Sequence, residues 1–247
     1  MISVAKMILR LNSAFLVFAL FPAAAFSYEE AAVKDGGGIS GFVRYEGKAE
    51  KTGYLEVTKN KEVCGKVADE SLVVGVRQGV RYAVVTLEGI GKGKAVEREA
   101  VHELDNAKCR FVPRVQTASV GQFLLMKNSD PILHTAHAYT PEGQPHFNVG
   151  LYPGRVSRKP LAKAGVFKIL CEVHPWMSAY VVVSEHPYHA VTDVYGEYQV
   201  TEVPPGRYRL RVWHERLAAK EQEVEVKTGA VTKADFSFPL SSGGKKR

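Results

Sequence analysis

The sequence predicts an all-β protein, in which a Greek-key β-sandwich or barrel is followed by a second, smaller β-sandwich. Short runs rich in β-branched and aromatic residues are separated by Gly, Pro, Asn and Asp, which is typical of strands and turns. No long stretch repeats its apolar residues with the 3.6-residue period of a helix. The chain has 247 residues, 45% of them apolar and 24% charged, as in ordinary globular proteins. The runs that predict strands in the first part are 39–45, 72–76, 82–87, 123–127, 166–170 and 180–183.

The alternation of polar and apolar residues is clearest in the last quarter of the chain. Residues 207–213 read Arg-Tyr-Arg-Leu-Arg-Val-Trp, which places three arginines on one face of a strand and apolar side chains on the other. A face exposed to solvent is the ordinary explanation for such arginines. Residues 197–203 and 221–227 alternate in the same way. We therefore expect a small sandwich over residues 185–240, after a first unit over residues 36–184 that includes an N-terminal extension.

The two ends of the chain predict export and a disordered tail. Lys6 and Arg10 precede an apolar stretch and then small residues, which is the pattern of a secretory signal peptide. We expect residues 1–27 to be removed, and residues 241–247 to be disordered. No later segment has the roughly 20 apolar residues that a membrane helix needs. We therefore expect a soluble periplasmic or extracytoplasmic protein without an integral membrane segment.

Charge and motifs argue against two further classes. The formal net charge is +7, but lysines and arginines are spread along the chain, whereas nucleic-acid-binding proteins concentrate them in a patch. The sequence shows no Ser-His-Asp pattern, phosphate-binding loop or paired carboxylates. We expect neither a nucleic-acid partner nor an enzyme.

The three cysteines divide into a pair and a single residue. In an oxidising compartment two of three thiols are expected to pair. Cys64 and Cys109 stand in unremarkable surroundings, while Cys171 belongs to a cluster of metal-ligand residue types. We predict a disulfide between Cys64 and Cys109; two free buried thiols are the alternative.

The segment Cys171-Glu-Val-His174-Pro-Trp-Met177 places a thiolate, an imidazole and a thioether within seven residues, directly after a predicted strand. A copper ion that alternates between Cu(I) and Cu(II) suits this set, because thiolate and thioether stabilise Cu(I), imidazole suits both states, and a weak axial Met tunes the potential. Structural zinc does not use thioether. Alternatively, the three residues are a buried thiol, a core histidine and a core methionine. Their presence in one loop would then be a coincidence.

A second imidazole is needed to complete the copper plane, and two histidines compete for this role. His134 and His137 both follow the turn at residues 128–131. In an extended segment a separation of three residues puts them on opposite faces, and His134 is nearer to the loop. We favour His134.

The region from Phe111 to Val183 resembles the cupredoxins, the blue copper proteins of the amicyanin and plastocyanin type. The similarity lies in Phe-Val-Pro-Arg-Val, then Val-Gly-Gln-Phe, then an Asn and a His, and finally the ligand loop Cys-x2-His-Pro-Trp-Met. The resemblance implies one mononuclear type 1 copper site. Its ligands would be His134, Cys171, His174 and Met177.

The same resemblance implies roles for neighbouring residues. Asn128 falls where the family has an Asn before its first histidine ligand. Thr135 replaces the Asn that normally ties the two ligand loops together; either its hydroxyl makes that tie, or the site is looser than in the small blue proteins. Pro175 and Trp176 would form an apolar rim around His174, where a partner docks and the electron leaves; burial of Trp176 in the core is the alternative.

The whole chain resembles exported two-part proteins of the methylamine-utilisation type, in which a cupredoxin precedes a carboxypeptidase regulatory-like domain. The motifs Asp193-Val-Tyr-Gly-Glu-Tyr and Val203-Pro-Pro-Gly-Arg-Tyr carry the second half of this resemblance. The function implied is one-electron transfer, with a redox protein such as a c-type cytochrome or an oxidoreductase as partner. Periplasmic copper handling and a metal-free cell-surface or carbohydrate-binding module are the alternatives.

Overall fold

The computed structural model describes residues 28–47 and 52–239, and within them strands dominate. The predicted signal peptide (1–27) and tail (241–247) lie outside the described residues. Within the described residues, no helix has the length and apolar character needed to cross a membrane. The helices are α1 (Lys61–Cys64) and a 3-10 turn (Val76–Gln78). The strands are β1 (Glu29–Glu30), β2 (Gly37–Tyr45), β3 (Tyr54–Leu55), β4 (Val67–Ala68), β5 (Val84–Glu88), β6 (Lys92–Gly93), β7 (Val101–Asn106), β8 (Phe111–Val112), β9 (Val115–Ser119), β10 (Phe123–Asn128), β11 (His134–Tyr139), β12 (Pro145–Leu151), β13 (Val156–Pro160), β14 (Gly165–Leu170), β15 (Ser178–Ser184), β16 (His189–Val191), β17 (Glu197–Val203), β18 (Gly206–His214), β19 (Leu217–Val226), β20 (Val231–Lys233) and β21 (Phe236–Phe238).

The first sandwich is built from strands β7 to β15. One sheet has the order β13-β10-β7-β8 and the other has the order β12-β11-β14-β15-β9. Apolar side chains at alternate positions of both sheets, among them Leu104, Met126 and Ile169, form one buried core. This is the arrangement of two packed sheets that the alternating sequence predicts.

The second sandwich combines strands from both ends of the chain. One sheet has the order β16-β5-β18-β19, and the other has β17-β2-β20 with β21 also paired to β2. Its core contains Ile39 and Val43 from β2, Leu87 from β5 and Leu210 from β18. On β18 the three arginines at 207, 209 and 211 are exposed, as the alternation predicts.

The strand pairing corrects the predicted division into residues 36–184 and 185–240. Strand β2 pairs with β17, β20 and β21, and β5 pairs with β16 and β18, so both belong to the second sandwich. Alternation identifies a strand and its buried face, but it carries no information about which distant strand completes the ladder. The first sandwich is therefore inserted between two parts of the second.

Most predicted strands are found, and one is not. The runs at 39–45, 82–87, 123–127, 166–170 and 180–183 fall on β2, β5, β10, β14 and β15. Residues 72–76 make only an isolated bridge, Val74 to Val80. The chain turns directly afterwards, where Arg77 and Gln78 adopt positive φ values of 56° and 62°. Since such values end an extended segment, this apolar run does not continue as a ladder.

A small cluster and a buried ion pair join the two sandwiches. Val84, Val115 and Val182 are buried together, with Trp213 packed against them. The Arg114 guanidinium donates to both carboxylate oxygens of Glu215, at 2.7 and 2.8 Å. The hydrogen bond and charge of Glu215 raise the pKa of Arg114 despite its burial, which by itself lowers it. A buried, bidentate ion pair therefore connects the two sandwiches.

Residues 54–68 lie outside the sheets of both sandwiches and are called here the cross-linked segment. Strands β3 and β4 pair with each other alone, and α1 lies in the connection between them. A disulfide joins Cys64 at the end of α1 to Cys109, with Cα atoms 5.2 Å apart. The predicted pairing of these cysteines is thus present, and it attaches the segment to the first sandwich.

Candidate metal centre

The end of the first sandwich brings together three side chains from two strands and a loop. His134 is the first residue of β11, and Cys171 directly follows β14, which pairs with β11. A tight turn follows Cys171: the Met177 N–H donates to the His174 carbonyl at 2.9 Å, and the Cys171 N–H donates to the Met177 carbonyl at 3.3 Å. The turn folds His174 back towards Cys171. Adjacent pairing and a short loop therefore make the three residues converge.

The donor atoms of these residues form a compact triangle. The Nδ1 atoms of His134 and His174 are 2.9 Å apart, and the Cys171 Sγ lies 3.9 and 3.8 Å from them. His134 and His174 are fully buried, and Cys171 is 2% exposed. Polar atoms this close together in an apolar core are satisfied either by one another or by a common partner.

Hydrogen bonds on the outer side of each ring determine which nitrogen faces the triangle. The His134 Nε2–H donates to the Asp130 Oδ2 at 3.0 Å, and the His174 Nε2–H donates to the Asn60 Oδ1 at 3.0 Å. A neutral imidazole carries one proton, so each Nδ1 presents a lone pair to the other and to the sulfur. Three electron-rich atoms facing one another are stabilised by a cation between them.

The ionisation of the residues agrees with this arrangement. Burial, together with the charges of His134 and Lys59, lowers the pKa of His174 to about 4, so its ring is neutral at neutral pH. Burial raises the pKa of the Cys171 thiol, but contact with His134 and the backbone N–H groups of Thr135 and His174 lowers it by more. Neutral imidazole and thiolate are the forms that bind a transition metal.

The triangle has the dimensions of a metal site. A point in its plane that is about 2.0 Å from both Nδ1 atoms, the usual metal–imidazole distance, lies about 2.2 Å from the sulfur. Metal–thiolate distances are about 2.3 Å. The spacing of the three donor atoms therefore matches that of a metal site.

Met177 supplies the softer part of the donor set. It is 2% exposed and belongs to the same buried core cluster as Cys171. Two imidazoles and a thiolate, with a thioether on the same loop, form the combination that copper accepts in both oxidation states. The side-chain chemistry therefore favours copper over zinc.

Asn128 and Thr135 hold the two ligand-bearing segments in place. The Asn128 amide donates to the carbonyls of Ile132 and Leu151, both at 2.8 Å, which shapes the turn before His134. The Thr135 N–H donates to the Cys171 Sγ at 3.3 Å, and the Thr135 Oγ1 accepts from the Glu172 N–H at 2.8 Å. The threonine hydroxyl thus makes the tie between the two loops.

His137 lies outside the triangle, on the other face of β11. Its Nδ1 contacts the Glu172 Oε1 at 2.7 Å and the Tyr139 hydroxyl at 3.0 Å. The side chain is half-buried, while His134 is fully enclosed. Because side chains alternate between the two faces of a strand, residues three apart lie on opposite faces, as predicted for His134 and His137.

Pro175 and Trp176, the residues predicted to form a rim around His174, differ in their exposure. The His174 ring has no exposed surface, and Asn60 of the cross-linked segment bonds to its outer nitrogen. Pro175 is exposed, whereas Trp176 is half-buried and its Nε1–H donates to the Cys109 carbonyl at 3.2 Å. Of the two predicted docking residues, Pro175 alone presents a mainly exposed side chain.

Sequence reasoning missed the outer partners, Asn60 and Asp130. Asp130 accepts bonds from His134 and from the backbone N–H groups of Lys108 and Cys109, at 2.6 and 2.8 Å. Its position before a proline and four residues before His134 was an available signal. Asn60 offered no such signal, since it lies 114 residues from His174 in a segment with no counterpart in the resemblance.

Comparisons with known proteins give one family match and several similar solved structures. Residues 174–239 match the family model of the carboxypeptidase regulatory-like domain. A purple cupredoxin from Nitrosopumilus maritimus is 24% identical, over 33% of this chain and 98% of its own, with a TM-score of 0.30. Amicyanin from Paracoccus versutus is 16% identical, over 40% of this chain and 97% of its own, with a TM-score of 0.32.

A copper-containing nitrite reductase from Thermus scotoductus is 23% identical, over 38% of this chain and 25% of its own, with a TM-score of 0.32. A comparison with curated proteins gave no significant match. The family match begins at His174, eleven residues before the predicted boundary, and leaves out β2 and β5. The match over residues 174–239 agrees with the carboxypeptidase regulatory-like domain that the sequence resemblance predicts, and the similar solved structures include cupredoxins.

Proposed function

We propose that this protein binds one mononuclear type 1 copper ion through His134, Cys171, His174 and Met177, and that it carries single electrons. The observation that supports this most directly is the buried triangle of two Nδ1 atoms and one sulfur, with both lone pairs turned inward by outer hydrogen bonds. With both Nε2–H groups bound to outer oxygen acceptors, each Nδ1 is left free to accept a metal.

The protein's own contribution is to keep the donor atoms in place while charge changes. Copper bound here would supply a one-electron couple between Cu(I) and Cu(II). Asp130 and Asn60 fix the two rings, and the Thr135 N–H donates to the sulfur, which restrains the thiolate. A rigid ligand set lowers the rearrangement needed on electron transfer, and the apolar core excludes water.

Two parts of the proposal concern location and partner. Export by a signal peptide in residues 1–27 agrees with a disulfide at Cys64 and Cys109, because such bonds persist in oxidising compartments. The partner would be a redox protein such as a c-type cytochrome. The exposed Pro175 and the apolar Leu133 and Tyr152, which adjoin His134 and its strand partner Leu151, offer it a contact surface near the site.

The second candidate is copper storage or delivery without electron exchange. One observation favours it: the His174 ring is fully buried, with no exposed edge through which a partner would reach the metal. A site closed on this side is suited to retaining copper. In this case the metal itself would be transferred, and the surrounding segment would have to open.

Optical titration with Cu(II) tests metal binding directly. Wild type should develop an intense band at the red end of the visible spectrum, caused by the copper–thiolate bond. The band should disappear in Cys171→Ala and in His134→Ala, while His137→Ala, a histidine three residues away on the opposite face, should keep it. A colourless wild-type protein after copper loading would contradict a type 1 site.

Kinetics separate the two candidates. A carrier should exchange electrons with a c-type cytochrome in stopped-flow experiments without losing its metal. A delivery protein should instead be slow in that assay and should transfer Cu(I) to an acceptor protein. Fast copper transfer with no measurable electron exchange would replace the first proposal by the second.

A further inference from the structure

The cross-linked segment, residues 54–68, contacts the candidate metal centre at the outer nitrogen of His174. Asn60 lies at the start of α1, and its Oδ1 accepts the outer N–H of His174 at 3.0 Å. The His174 ring has no exposed surface.

Packing and covalent attachment hold the segment against the first sandwich. Val67 and Cys64 are buried in the core of that sandwich, and Leu55, Val57 and Val63 pack against it. The two-residue ladder of β3 and β4 is too short to be stable alone. The disulfide from Cys64 to Cys109 therefore supplies an attachment that the short ladder cannot.

The same disulfide connects the outer partners of both histidines. Asn60 is joined to Cys64 within one turn, because the Cys64 N–H donates to the Asn60 carbonyl at 2.9 Å. The Cys109 N–H donates to the Asp130 Oδ2, which also accepts from His134. The cross-link thus lies between the two residues that orient the rings.

We propose that residues 54–68 are a cap that closes the His174 edge of the site against solvent and small chelators, with Asn60 as the positioning residue for His174. Asn60 adopts a left-handed backbone conformation, with φ 48° and ψ 45°, which Asn, Asp and Gly accept more readily than other residues. The amide therefore reaches His174 from a backbone position that few other residues would occupy. The cap is a property of the protein alone, and only its effect on copper release rests on the proposed function.

The first test measures access to His174 in copper-free protein. Histidines are modified with diethyl pyrocarbonate, and the rate at each ring is read by peptide mass spectrometry. His174 should react slowly in wild type, whereas the exposed His146 serves as an internal reference. Asn60→Gly keeps the left-handed backbone and removes the amide, so it should raise the rate at His174 by about tenfold, the factor one hydrogen bond provides.

Two further variants separate the roles of amide and cross-link. Asn60→Asp retains an acceptor oxygen and should keep the slow wild-type rate. Cys64→Ser with Cys109→Ser should expose His174 even though Asn60 is present. If His174 reacts as fast as His146 in wild type, or if Asn60→Gly and the double serine variant both leave its rate unchanged, the cap is refuted.

The second test measures copper release to a Cu(I) chelator. Loss of an outer partner of a metal-bound histidine weakens binding by about 10 to 100-fold, and Asn60→Gly should speed release by a similar factor. Asn60→Asp should release copper at the wild-type rate. If wild type binds no copper but the modification pattern is as expected, the proposed function fails and the cap stands. If wild type binds copper and shows the visible band, but Asn60→Gly releases copper at the wild-type rate, the cap is refuted.

Discussion

Buried histidines occur in both sandwiches, but only those of the first sandwich converge. His134 and His174 each bind an outer acceptor and direct the second nitrogen to a shared point beside Cys171. In the second sandwich, His189 contacts the Ser119 hydroxyl and His214 accepts the Arg216 N–H. The other ring nitrogen of each, Nδ1 of His189 and Nε2 of His214, has no hydrogen-bond partner among the described residues.

This difference shows that burial alone does not make a ligand. Burial lowers the pKa of His174, His189 and His214 alike, to about 4. What distinguishes His174 is that two further donor atoms lie within 4 Å of its inner nitrogen. Convergence of lone pairs, set by outer hydrogen bonds, is therefore the better criterion for a metal site than a perturbed pKa.

Replacing one histidine from each sandwich should give the largest contrast. His174→Ala should lower Cu(I) affinity by at least about 100-fold, because loss of a ligand costs at least as much as loss of an outer partner. His214→Ala should leave the affinity unchanged. Competition with a Cu(I) chelator measures both, and equal losses of affinity would remove the distinction between the two groups.

Removing the disulfide should affect the first sandwich more than the second. Cys64 and Cys109 are 45 residues apart, and Cys64→Ser with Cys109→Ser should lower the free energy of unfolding by about 2 to 4 kcal/mol. Trp176 lies in the first sandwich and Trp213 in the second. In a Trp213→Phe background, Trp176 fluorescence reports the first sandwich, and loss of the disulfide should lower its urea midpoint. In a Trp176→Phe background, Trp213 fluorescence reports the second sandwich, and the same change should lower its midpoint less. Equal shifts would mean that the two units unfold together.

Acidification should destabilise the second sandwich through its neutral histidines. Burial lowers the pKa of His186, His189 and His214 to about 4, against about 6.5 in an unfolded chain. Between these values the unfolded chain binds more protons, so the free energy of unfolding falls as the pH falls from about 6.5 to about 4. The loss is at most about 1.4 kcal/mol per pH unit for each histidine.

Urea unfolding at several pH values, followed by Trp213, measures this slope. His214→Gln removes one titrating group. The slope of the unfolding free energy against pH should therefore fall by the contribution of about one bound proton. His146→Gln replaces an exposed histidine and is the matched control, which should leave the slope as in wild type. A slope in His214→Gln equal to that of wild type would show that His214 is not held neutral.

Thr135→Val should give the smallest effect. It removes the hydroxyl that accepts the Glu172 N–H and retains the backbone N–H that donates to the Cys171 sulfur. The expected cost is about 0.5 to 1.5 kcal/mol of unfolding free energy, the usual value of one hydrogen bond, with a small shift of the visible band. Thr117→Val, in the edge strand β9 of the same sheet, is the control. A loss of the band would mean that the tie between the loops is indispensable.

The fold and the site could be predicted where the relevant residues are close together in the chain, or where polar and apolar residues alternate. Cys171, His174 and Met177 could be grouped because one turn contains them, and His134 could be separated from His137 because strand geometry fixes opposite faces. The disulfide followed from counting cysteines in an oxidising context. Each of these inferences uses local geometry or simple arithmetic.

Partners that are distant in the chain could not be predicted. Asn60 reaches His174 across 114 residues, and it lies in a segment without clear periodicity. Strand β2 was recognised, but its ladder is completed by strands that begin more than 150 residues later. A pattern shows which face of a strand is buried; it does not show which chain segment arrives to cover it.

The interleaving of the two sandwiches has a consequence for the order of folding during synthesis. Strands β7 to β15 form a continuous block, so the first sandwich has nearly all its strands once residue 184 has been made. Strand β2 is among the first strands made, yet its partners β17, β20 and β21 are among the last. The N-terminal strand must therefore remain unpaired until the chain is almost complete, and a C-terminal truncation would leave an open sheet edge of the kind that promotes aggregation.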